Sequence, residues 1–214
     1  MYNKRTLLID HVKEHAVIYI FMTILFLTGI IFGAIIVNSM NFVQKQDLFF
    51  YLERFFGDIN NEEQVNSSEV LKSSFLYHVK YLFILFILGL SVIGLPVVWI
   101  LLFLKGLVVG FSVGFMVNQL GAKGLFLASV SIAPQNLLVI PIYIIAGSLS
   151  MIFSMILLRK LFSRRISQPV LQPFGKYAML FASLMAFSLA AAALEAYVSN
   201  EAMELLIKSL YKEQ

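Results

Sequence analysis

Five places in the chain hold residue types that could do chemistry. His11-Val-Lys-Glu-His15 sets two imidazoles one helical turn apart, with a glutamate between them. That is the spacing by which some metalloprotease helices hold zinc and activate water. A zinc site also needs a third protein ligand, and nearly every later acidic residue lies beyond the first apolar run. The stretch therefore reads as a charged lead-in to a span. Lys105 stands inside FLKGLVVGFSVGFMVNQLG, residues 103–121, where a charge is a functional hypothesis by default. Its long stem allows anchoring toward the cytoplasmic headgroups; a subunit contact and an ion or solute path are the other readings. Glu195 is the only acidic residue inside an apolar run, near the outer end of the last one. The difference in depth predicts that it and Lys105 do not pair within one chain. Gln135 and Asn136 follow Pro134, either lining a polar cavity or satisfying backbone groups that the proline releases. His78, near Tyr77 and Tyr81, reads as an interfacial anchor. There is no serine–base pair, no carboxylate pair and no glycine-rich loop ending in Lys-Ser/Thr. No catalytic residue, cofactor or metal site is expected, and the chain is read as a non-enzyme.

The elements that carry these residues follow from composition. The chain is 60% hydrophobic and 13% charged, with a mean hydropathy of +0.87. A soluble domain of this length has no core large enough to hide that much apolar surface, so the class is all-α integral membrane protein. A net charge of +4, split between separate clusters, gives no reason to expect nucleic acid. Cysteine is absent, which removes disulfides, thiolate metal sites and thiol nucleophiles.

About five transmembrane helices are expected, at 17–40, 76–93, 96–119, 137–158 and 175–197. The apolar stretch 79–118 would make about 60 Å of helix, twice a ~30 Å hydrocarbon core, so it must fold back. Gly94-Leu95-Pro96 is the place. A short re-entrant or interfacial helix should run up to Ala133, before the fourth span. The extracytoplasmic loop 41–75 contains Leu48, Phe49, Leu52, Phe55 and Phe56 at helical spacing. They predict an amphipathic helix that docks a partner or lies on lipid. Phe50 and Tyr51 belong to the same aromatic set. Basic residues before the first span and at 159–176 put the N-terminus in the cytoplasm and, with an odd number of spans, the C-terminus outside.

Small residues recur every fourth position in three spans: Gly29 and Gly33; Gly106, Gly110 and Gly114; Ala182, Ala186 and Ala190. In lipid, helices associate through close backbone approach over such stripes. They predict helix packing, either within one chain or at a homodimer seam.

Several segments, among them FGAIIVNSM, QKQDLFFYLERFFG, SFLYHVKYLFILFILGLSVIGLPVV, APQN and LEAYVS, resemble the stage II sporulation protein M family of endospore-forming bacteria. The likeness runs over essentially the whole chain. It implies a multi-pass protein of the mother-cell membrane, acting at the sporulation septum during engulfment. It also implies a non-enzymatic scaffold recruiting two peptidoglycan hydrolases, stage II sporulation proteins P and D, for septal wall thinning and membrane migration. Distant relatives carry Pro-His-Gly and a following glutamate where this chain has Pro134-Gln135-Asn136 and Val139. A functional class that the residues also allow is a permease-like subunit that dimerises and couples to a separate ATPase.

Overall fold

The computed structural model describes residues 13–61, 67–162, 171–199, 201–203 and 205; His11 and the side chains of Phe55 and Phe56 lie outside them. Among these residues the chain forms α1 (Ala16–Ser39), α2 (Phe42–Asn61), α3 (Ser67–Gly89), α4 (Gly94–Ser131), α5 (Ala133–Phe162) and α6 (Leu171–Leu194). A π-helical turn, Glu195–Ser199, continues α6. Five helices are long and apolar enough to cross a membrane, α2 being the exception.

The boundaries depart from the sequence reading at three places. The second span starts earlier than expected, because α3 begins at Ser67 with a polar first turn before its apolar stretch. α2 opens on a reciprocal cap. The Gln44 amide donates to Asn41 Oδ1 at 2.9 Å, and the Asn41 amide donates to Gln44 Oε1 at 3.1 Å, which satisfies two helix-end donors at once. The fold-back falls at residues 90–93, so Gly94 and Pro96 belong to the first turn of α4. Ser154 Oγ donates to the Ser91 carbonyl at 3.0 Å and ties that turn to α5.

α4 is broken at Gly121, whose φ of 56° and ψ of −131° suit glycine alone. The helical segment beyond it leads into α5 at Ala133, four residues before the expected start of the fourth span. Pro134 sits in the first turn of α5, where a missing N–H costs little.

α5 is the central helix. Its most apolar stretch is 61% buried, against 22–28% for the other spans. Met22 and Phe26 of α1, Leu82 and Leu85 of α3, Val98 and Leu102 of α4, and Phe181 of α6 close around Tyr143, Ala146 and Phe153. Between helices, hydroxyls seek carbonyls. Ser150 Oγ donates to the Leu85 carbonyl at 2.9 Å, and Tyr177 donates to the Phe86 carbonyl at 2.9 Å. With no water in the hydrocarbon, such bonds give each hydroxyl a partner that lipid cannot supply.

Candidate functional site

Near the end of the bundle that carries α2, polar side chains from α3, α4, α5 and the π turn converge on one cavity of about 200 Å³. Glu195 is the centre of its polar wall. Ser74 Oγ donates to Glu195 Oε2. The Gln135 amide, oriented by its acceptors, donates to Glu195 Oε2 at 2.7 Å and Oε1 at 3.2 Å. His78 Nε2 lies 3.7 Å from the same carboxylate. On its other side His78 Nδ1 shares a 2.7 Å hydrogen bond with the Tyr143 hydroxyl. The carboxylate is thus surrounded by donors from two helices, as a charge inside a span requires.

The elements explain the convergence. Ser74 and His78 are four residues apart and share one face of α3. Gln135 comes from the first turn of α5, and Tyr143 lies two turns further on. The π turn contributes Glu195 itself; the wider turn shifts side-chain direction relative to a regular helix, a frequent feature of functional sites. Lys105, from α4, lines the same cavity. Its ammonium lies 3.3 Å from the Tyr77 hydroxyl. The rings of Tyr77, Tyr143 and Tyr81 stand 4.7, 5.3 and 5.9 Å from it, within the range of cation–π attraction.

Two sequence expectations are corrected here. His78 is not an interfacial anchor: only 4% of it is exposed, because both ring nitrogens find partners inside the bundle. Lys105 does not reach for cytoplasmic headgroups; its stem runs across to Tyr77 on α3, where aromatic faces receive the charge. Lys105 and Glu195 form no ion pair within 4 Å among the described residues, yet they line the same cavity. Asn136 lines the cavity and donates its side-chain amide to the Ile132 carbonyl at 2.8 Å.

Ser74 and Tyr143 were not singled out by sequence reasoning. The available signal was register: Ser74 and His78 are one turn apart, and polar positions in the successive spans lie at matching distances from one end of the bundle. Ser74, His78 and Glu195 are the residue types of a nucleophile, base and acid, but the wiring differs from a triad. Serine and carboxylate both address His78 Nε2, whereas in a triad they hold opposite ring nitrogens. The set braces α3 to α5 and α6.

The small-residue stripes divide. Gly29, Gly33, Gly106 and Gly110 lie between α1 and α4 of the same chain. A methyl group on Gly106 would overlap the Phe26 carbonyl, and one on Gly110 would overlap the backbone of Ile30. A second copy cannot use these four positions without displacing α1. Gly114 is looser, with Ala34 Cα 3.3 Å from where its Cβ would be. Ala182, Ala186 and Ala190 are exposed on α6.

α2 also divides. Leu52 packs with Leu127, Met116, Leu120 and Met203 in a small second core, and Leu48 and Phe49 are half-buried. The outward aromatics are Phe50 and Tyr51, 63% and 67% exposed.

Five helices long and apolar enough to cross a membrane, four of them packed around α5, define a multi-pass α-helical membrane protein. Residues 22–200 match the family Stage II sporulation protein M, and the chain belongs to that family. No curated protein and no solved structure matches it. The family and the spans together make it a sporulation-related membrane protein.

Proposed function

We propose that this protein is a non-enzymatic scaffold of the engulfment machinery, anchoring the peptidoglycan hydrolases stage II sporulation proteins P and D at the septum. It acts from the mother-cell membrane, with the N-terminus cytoplasmic and the C-terminus and α2 on the side of the wall. The observation that carries the reading is the family match over residues 22–200. The outward aromatics of α2 support it. Phe50 and Tyr51 stand on a helix already fixed to the bundle through Leu52, so a partner that binds them meets a pre-formed surface. A homodimer is part of the proposal, closing over the exposed alanines of α6.

The test is affinity purification of the tagged protein from sporulating cells in mild detergent. The hydrolases should co-purify with the wild type, and Phe50→Ala/Tyr51→Ala should release them while changing stability by no more than about 0.5 kcal/mol. Absence of both hydrolases from the wild-type complex would defeat the reading. The alternative that the residues allow is a permease-like subunit, for which an ATPase would co-purify instead.

A further inference from the structure

We propose that the cavity between α3, α4 and α5 is a binding site for a phosphate-bearing anion, seated on Lys105. This inference stands apart from the scaffold reading and rests on the balance of charge around the cavity. Glu195, on one wall, already has Ser74, Gln135 and His78 around it. Lys105, in the same lining, has no carboxylate within 4 Å among the described residues, and Glu195 acts on it only from beyond that distance. Its partners are a 3.3 Å contact to the Tyr77 hydroxyl and three tyrosine rings. An ammonium has three donors and strong demand for a counter-charge in a low-dielectric surrounding. The tyrosines position that charge without neutralising it, and the Glu195 oxygens are turned to Ser74, Gln135 and His78 instead of to the ammonium.

The space beside the ammonium is built for an oxyanion. About 200 Å³ is open there, too little for a helix and enough for a phosphate with a short ester. The Ser112 hydroxyl and the Asn136 side chain line the same space and add polar contacts of the kind that fix a phosphate's orientation. The site also has a lateral entrance. Tyr77 and Val108, on its rim, are 53% and 55% exposed on the outer surface of the bundle. Lys72 and Lys80 are exposed on α3 to either side of Tyr77. Charged groups therefore already stand at the level of the opening, which is tolerated where headgroups or water reach them. A phosphate carried by a membrane lipid can enter from that side. A soluble phosphoester would have to come from the α2 end.

The experiment is native mass spectrometry of the full chain in a maltoside detergent, titrated separately with phosphatidylglycerol, phosphatidylcholine and glycerol 1-phosphate. The wild type should take up one phosphatidylglycerol, with Lys105→Gln weakening it by about tenfold or more and Lys105→Arg retaining it. Ser112→Phe, which fills the cavity without touching the charge, should expel the lipid; it keeps the proposal testable if Lys105→Gln fails to fold. Saturation by glycerol 1-phosphate at equal or lower concentration supports the site and assigns it to a soluble phosphoester. Uptake of phosphatidylglycerol unchanged by both Lys105→Gln and Ser112→Phe overturns the proposal. So does a wild type that binds none of the phosphate probes, or that binds phosphatidylcholine as well as phosphatidylglycerol with the same indifference to Lys105.

Discussion

α4 meets its neighbours in two opposite ways. On the face toward α1, Gly106 and Gly110 remove side chains until backbone meets backbone, so that not even a methyl group fits at either position. On the face toward α3 and α5, a few residues along the same helix, Lys105 and Ser112 hold a cavity open. The first interface depends on the absence of atoms. The second depends on polar groups placed to satisfy one another. Membrane helices use both means because apolar side chains gain little from one another in lipid. Here the dry contact sets the distance between α1 and α4, and the polar contact gathers α3, α5 and α6 around one carboxylate.

If that contrast is right, the two faces should fail differently. The largest effect is expected from Gly110→Leu, because the atoms it strikes are the backbone of Ile30 and cannot rotate away. Overpacking of this kind costs about 1–3 kcal/mol, occasionally more, and should appear as a loss of monodisperse protein in mild detergent. Leucine at Ile100, 57% exposed on the same helix, should be silent. Equal behaviour of the two variants would remove the special role of the stripe.

On the polar face, Glu195→Ala should come next. It leaves Ser74, Gln135 and His78 without their common acceptor, at about 1–3 kcal/mol for unsatisfied buried groups. Thermal unfolding of the purified chain measures it, and an unchanged midpoint would mean that the brace contributes nothing. Tyr143→Phe should be the mildest. It removes a single 2.7 Å bond to His78, worth about 0.5–1.5 kcal/mol, and keeps the ring that lies near Lys105. A loss larger than that of Glu195→Ala would move the centre of the network from the carboxylate to the tyrosine.

Much of the architecture was legible in the chain. Apolar length alone requires spanning helices, since lipid leaves no other way to satisfy backbone groups. Glycine at every fourth position requires close approach, whatever the partner. The partner was not legible: the same stripe serves a dimer or a neighbouring helix of the same chain, and only the packing of α1 chose between them. The aromatic face of α2 was visible in the same way, while its division into an inward Leu52 and outward Phe50 and Tyr51 was not.

The polar site shows where local patterning runs out. Residue type and helical period established that Lys105, Glu195 and Gln135 stand in apolar surroundings and need partners. Those partners are far away in sequence, 121 residues between Ser74 and Glu195 and 65 between His78 and Tyr143. No period within one helix carries that information. It depends on the relative depth and rotation of four helices and on a π turn that positions Glu195. The need for partners is a property of the chain's chemistry. Which groups meet that need is a property of the packed bundle.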